Sequence, residues 1–313
     1  VNDILTERID DRRAWTAATI DDPSSWTTAL SAHCLDELER EVSELGEGEP
    51  THLRVSAADL PRCAAQLAPV RQELDRGRGF ALVDRLDEAR FGRAGAVAAY
   101  WALGQLLGRP FEQDVQGTLL YDVRDTGRSV TGGARFSVTR AQSTFHTDNA
   151  FNDHLPDFVG LLSLRTARDG GRSQLISACA LYNELLEQSV DLEPLHGTFW
   201  FDRRGQHGSD EAPVAARHLF CWDGAELSMR YMAYYIQVGQ QRAGEALTPG
   251  QVASLDAIEE ILRRPQMRVE FDLYPGQMMF TNNHWILHNR TAFTDHPEAD
   301  DKRHYVRLWL SRG

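Results

Sequence analysis

The segment FHTDNAF, residues 145–151, sets an imidazole, His146, two positions before a carboxylate, Asp148. On a strand, residues two apart leave the same face, so this pair is able to take adjacent positions on a metal ion. An H-x-D in an ordinary loop looks the same, so the pair alone does not define a site. A second cluster lies in PGQMMFTNNHWILHNRTAF, where Pro275-Gly276 reads as a tight turn into a strand, with His284 and His288 beyond it. Residues four apart on a strand share a face, so spacing does not choose between these histidines. Either one completes a set of two histidines and one carboxylate. That facial set leaves three positions open and is diagnostic of non-haem iron(II) oxygenases. A zinc hydrolase uses the same ligand types, but the chain contains no H-E-x-x-H.

A third element is Arg307 in RHYVRLWLS, an arginine on an apolar β-type run. It reads either as the partner of a buried carboxylate or as a two-pronged clamp for an acid co-substrate. Arg303, four residues earlier, reads either as a contact for an anionic substrate or as a surface partner of Asp300 or Asp301.

The elements that must position these groups are mostly short strands. GFALVDRL, GTLLYDV, RAQSTFHT, FVGLLSL, SQLIS, GTFWFD, HLFCW, ELSMRY, MRVEFDL, QMMFTNN and HYVRLWL are β-type runs separated largely by Gly, Pro, Asp and Asn. Helices are expected over Asp87 to Leu107, near 178–189 and over 248–263, the last started by Thr248-Pro249. The pattern predicts a mainly β fold with flanking helices, a sandwich or jelly roll. Residues 1 to 75 read as a separate helical segment, a layer able to pack on the core or to dimerise. Its first helix is expected from Ser24 or Ser25 through Leu38 and its second after Ser56. Residues 76–313 carry the chemistry. The polar stretch 203–217 reads as an exposed connection or a lid, and Tyr231, Tyr234, Tyr235 and Trp285 as core or pocket aromatics.

The chain has 313 residues, with 42% hydrophobic and 25% charged, in the range of globular proteins. A formal charge of −13 repels phosphate backbones and argues against a nucleic-acid partner. The N-terminal segment has no apolar stretch of the signal-peptide type, and no run long enough to span a membrane occurs, so membrane partners are not expected. The four cysteines form no C-x-x-C pair and suggest no disulfide framework, which fits a reducing, cytoplasmic setting.

Taken together, four pieces resemble the taurine dioxygenase (TauD/TfdA-like) family: FHTDNAF, GLLSLRTARDGGRSQLISACALYNELL, the F-x-NN…LHNRTAF segment and R-x-x-x-R-L-W-L. They run in family order over roughly residues 79 to 313. The resemblance implies a double-stranded β-helix core of the cupin-like kind. It implies Fe(II) held by His146, Asp148 and His288, and selects His288 over His284. It implies that Arg307 meets the distal carboxylate of 2-oxoglutarate with Ser173 as hydroxyl partner, a position where the family often has threonine. Gln142, Asn149 and Arg303 are the candidate substrate contacts. The implied activity uses O2 and 2-oxoglutarate to oxidise, in the first instance hydroxylate, an unactivated C–H bond of a small molecule, with release of succinate and CO2. Retention of Asp148 favours hydroxylation, desaturation or ring formation over halogenation. The competing readings are a metal-dependent hydrolase or isomerase and a non-catalytic barrel, in either case as a possible homo-oligomer.

Overall fold

A computed structural model of the chain describes residues 3–20, 22–127, 139 and 143–312. The N-terminal region comprises β1 (Thr27–Ala29), α1 (Ala32–Leu45), α2 (Pro61–Arg76), β2 (Phe80–Asp84) and α3 (Glu88–Leu107). The middle comprises β3 (Arg109–Phe111), β4 (Leu120–Val123), β5 (Phe158–Arg165), β6 (Asp169–Gly170), β7 (Ser173–Ser177), α4 (Ala178–Glu187), α5 (Glu193–His196) and β8 (Thr198–Asp202). Then follow β9 (Val214–His218), β10 (Phe220–Trp222), β11 (Leu227–Met229), α6 (Ala233–Ala243) and α7 (Pro249–Arg263). The chain closes with β12 (Arg268–Phe271), β13 (Met278–Asn282), β14 (Ile286–Arg290), β15 (Phe293–Thr294) and β16 (His304–Ser311). Helix, at about 35%, exceeds strand, at about 24%, so the fold is a mixture of sheets and helices and not mainly β.

The largest sheet runs β1-β2-β13-β5-β16-β3, with β4 also paired to β16. A second sheet runs β12-β7-β14. Strand alternation makes the large sheet two-faced. Val306, Leu308 and Leu310 of β16 join Phe158, Leu162, Met278 and Phe280 in an apolar cluster under α1, α2 and α3. The intervening positions carry Tyr305, Arg307 and Trp309 to the opposite face. There Tyr121, Arg307, Leu161 and Met279 form one cross-strand row. Gly104 lets α3 lie close on this sheet, because a Cβ there would sit 2.3 Å from a Leu308 methyl carbon.

Local chemistry explains several boundaries. Thr248 and Gln251 form a capping box at α7, with Pro249 in the first turn. Asp87 caps α3 through the Ala89 N–H. The first helix departs from expectation: Ser31, not Ser24 or Ser25, is its cap. Residues 23–26 form a 3-10 turn, and Thr27–Ala29 pair in parallel with Leu82–Asp84, so tertiary pairing takes residues whose spacing also suits a helix. The second expected helix begins at Pro61. The polar stretch 203–217 is not all loop, since Val214–His218 pairs antiparallel with β8. The helix Ala233–Ala243, which contains Tyr234 and Tyr235, was not expected.

Cys34 on α1 and Cys63 on α2 form a disulfide, with Cα atoms 4.7 Å apart. This corrects the expectation of no disulfide and removes the basis for inferring a reducing setting from cysteine usage. The two residues are 29 apart in sequence, and only the helix pairing brings them together. Among the described residues, no helix is long and apolar enough to cross a membrane.

Candidate metal centre

Residues 143–147 are not the strand expected there. They make one antiparallel bridge, in which the His146 N–H donates to the His288 carbonyl at 3.1 Å and the His288 N–H donates back at 2.9 Å. Asp148 then lies in a turn, where Asn149 adopts φ 61°. That turn is clamped by Asn283, just past β13. Its carboxamide accepts from the Asp148 N–H at 2.7 Å and donates to the Asp148 carbonyl at 2.9 Å. Thr147 is tied to Tyr231 through both its backbone N–H and its hydroxyl. His288 comes from β14, whose register against β7 sets His288 opposite Leu175 and Arg290 opposite Ser173.

Ligand atoms of His146, Asp148 and His288 all lie within 4.8 Å of one another. Asp148 Oδ1 faces His146 Nε2 at 3.7 Å and His288 Nε2 at 3.8 Å. The His146 Nδ1 lies 2.7 Å from the Thr144 carbonyl, which favours the Nδ1–H tautomer and leaves the Nε2 lone pair for a metal. Burial lowers the pKa of both imidazoles, that of His288 to about 3, with His146 adding to its shift. Burial alone would raise the Asp148 carboxyl, but Arg307, the two histidines and the Trp309 N–H together bring it down to about 2. Near neutral pH the centre therefore offers two neutral nitrogen donors and one anionic oxygen. That donor set suits a divalent metal and leaves room for exogenous ligands.

His284, the alternative ligand, points elsewhere, with its Nε2 2.8 Å from Asp157 Oδ1. Arg307 is engaged within the protein. Its Nη1 lies 3.1 Å from Asp148 Oδ2 and its Nε donates to Gln113 Oε1 at 2.8 Å. Of its two sequence readings, partner of a buried carboxylate and clamp for an acid, the first describes the observed contacts. Arg303 is not a surface partner of Asp300 or Asp301. Its side chain is buried, its guanidinium stacks 3.8 Å from the centre of the Tyr305 ring, and its Nε has no hydrogen-bond partner among the described residues. A cavity of about 80 Å³ is lined by His146, Ser173, His288, Arg290, Arg303 and Arg307. Gly170 and Gly171, both at positive φ, lead into Ser173. A Cβ on Gly170 would meet the Ala292 carbonyl oxygen at 2.2 Å, so glycine is required for this approach.

Asn149 lines a different cavity, of about 420 Å³, with Gln113, Asn152 and Gln206, and its amide donates to the His154 carbonyl. Gln142 lies outside the described residues. A groove of about 590 Å³ between α6 and α7 contains none of the triad residues. Sequence reasoning missed Trp309, Gln113 and Asn283. The first was within reach, because Trp309 is two residues past Arg307 and so shares its face of β16.

Comparison with known proteins places the chain among iron-dependent oxygenases. Over 318 residues the chain is 28% identical to FR-33289 synthase of Streptomyces rubellomurinus, covering 99% of this chain and 92% of that protein. It is 32% identical over 214 residues to L-asparagine oxygenase of Streptomyces coelicolor, covering 66% and 57% of the two. In fold it is similar to asparagine oxygenase solved with Fe(II), hydroxyasparagine and succinate (TM-score 0.66, 20% identity, 92% and 94% of the chains covered). It is also similar to the non-haem iron oxygenase OrfP solved with Fe and alpha-ketoglutaric acid (TM-score 0.63, 19% identity, 92% and 94% covered). The family "taurine catabolism dioxygenase TauD, TfdA family" matches residues 42–309. The chain belongs to the TauD/TfdA family and is a non-haem iron(II)- and 2-oxoglutarate-dependent dioxygenase.

Proposed function

We propose that His146, Asp148 and His288 hold Fe(II), and that the enzyme hydroxylates an unactivated C–H bond of a polar small molecule. The observation that carries this reading is the convergence of two neutral imidazoles and one ionised carboxylate, with both imidazoles lining a cavity that also holds the buried Arg303 and Arg307. The large sheet, which carries Arg307, and the β12-β7-β14 sheet, which carries His288, are read as the two halves of a double-stranded β-helix. Residues 1–75 are read as a layer added to that core.

When bound, iron and 2-oxoglutarate supply the oxidising chemistry, in which 2-oxoglutarate and O2 give succinate and CO2 while the substrate gains an oxygen atom. The chain's own groups bind and orient. We assign the distal carboxylate of 2-oxoglutarate to Arg303 with Ser173, because among the described residues no carboxylate lies within ion-pair distance of the Arg303 guanidinium. Arg307, the residue expected for that role, already serves Asp148. Charge-assisted contact from a buried guanidinium is strong and poorly screened. Low-dielectric walls formed by Leu161 and Met279 keep water from competing.

L-asparagine oxygenase is named for a polar amino acid, and a zwitterionic or anionic substrate is the extension we make to this chain. The deciding experiment is succinate release in the presence of Fe(II), O2 and 2-oxoglutarate, screened against metabolite pools for stimulation. Stimulated release is expected. Turnover of a substrate with zinc or manganese and without O2 would establish the hydrolase or isomerase reading instead.

A further inference from the structure

Asp148 is gripped on one side. The Trp309 indole N–H donates to Oδ2 at 2.8 Å, and Arg307 Nη1 lies 3.1 Å from the same oxygen and 3.3 Å from Oδ1. The other oxygen, Oδ1, is the one turned to both imidazole Nε2 atoms. Arg307 is in turn fixed. Its guanidinium sits 4.8 Å from the Trp309 ring centre and 5.1 Å from that of Tyr121. Gln113 accepts from Arg307 Nε at 2.8 Å and returns a donor to the Arg307 carbonyl at 2.9 Å. A second Gln113 N–H donates to the Leu119 carbonyl at 2.9 Å, and its side chain is buried.

We infer that Gln113, Arg307 and Trp309 form a positioning relay that turns Asp148 so that only Oδ1 is offered to the metal. This rests on the triad assignment above and adds to it how the carboxylate is aimed. The consequence is chemical. A facial set of three protein donors leaves three positions for exogenous ligands. An untethered carboxylate is free to offer both oxygens, and the second would take one of those positions. The Trp309 donor on Oδ2, with the Arg307 charge 3.1 Å from the same oxygen, competes with that second contact. The simpler account, that Arg307 only balances the Asp148 charge, gives no part to the neutral Trp309 N–H or to Gln113.

The test uses the full chain with Co(II) as probe, read as a dissociation constant and as the visible d–d envelope. Trp309→Phe keeps an aromatic ring and the charge balance and removes the donor. Gln113→Met frees Arg307 at a distance from the metal, and serves if Trp309→Phe does not fold. Partners of metal ligands typically contribute roughly 10–100-fold to metal affinity. Both variants should weaken Co(II) binding within that range, Gln113→Met less, and both should alter the envelope while still melting cooperatively. Unchanged affinity and spectrum in folded variants, with Co(II) binding lost in Asp148→Ala, would refute the relay and leave the triad standing. Undiminished Co(II) binding by Asp148→Ala would overturn the triad and the relay together.

Discussion

The two faces of strand β16 meet opposite surroundings. On one, Val306, Leu308 and Leu310 lie in a wholly apolar layer beneath three helices. On the other, Arg307 and Trp309 meet the Asp148 carboxylate, and Arg307, with Arg303 just before the strand, lines a cavity shared with two neutral imidazoles. The backbone is common to both, and a single register shift would exchange them. Each face therefore fixes the other. Burial of leucine and valine sets the register that aims the arginines, and cooperative packing holds charged groups where water would otherwise screen them. Substitutions on the apolar face should act on stability with the site intact, and substitutions on the polar face should act on chemistry with the fold intact.

The largest break should come at Asp148. Asp148→Gly removes the triad's one charged donor, and succinate formation with Fe(II), O2 and 2-oxoglutarate should fall to background in a protein that still melts cooperatively. Sustained release from that variant would remove Asp148 from the ligand set. Metal content gives the next contrast. His288→Ala should lose bound iron, while His284→Ala, whose partner is Asp157, should keep it. The reverse result would mean that the wrong histidine of the segment has been assigned.

Arg303 sharpens the polar side. Truncating one partner of a buried charge pair costs roughly 2–5 kcal/mol, and at about 1.4 kcal/mol per tenfold this is roughly 30- to 4,000-fold weaker 2-oxoglutarate binding in Arg303→Ala. Arg303→Lys should be intermediate, since an ammonium lacks the planar fork. Anaerobic titration of the iron-loaded variant, followed by its charge-transfer absorption, measures this, and unchanged affinity would return the role to another group. On the apolar side, Leu308→Ala should cost roughly 2–5 kcal/mol of stability, as large-to-small core changes do. Denaturant unfolding should show that loss with metal affinity retained in the folded fraction, and a parallel loss of metal affinity at full stability would contradict the division of labour. Ser173→Ala is the mildest change, costing about 1 kcal/mol of 2-oxoglutarate binding for one neutral donor.

The sequence by itself determined the ligand types, the alternation that makes β16 two-faced, the caps of α3 and α7, and the glycine pair that leads to Ser173. These are local, set by side-chain period and by backbone preferences within a few residues. Tertiary structure alone decided the rest. Gln113 meets Arg307 across 194 positions and Arg307 meets Asp148 across 159, distances over which no periodicity carries information. The same holds for the Cys34–Cys63 bond and for the burial of Arg303, which the sequence allowed to sit at the surface. The segment at His146 shows the reason most plainly. Its spacing suited a strand, yet the geometry that gathers the triad is one bridge to His288 and a turn held by Asn283, both contributed by chain more than a hundred residues away.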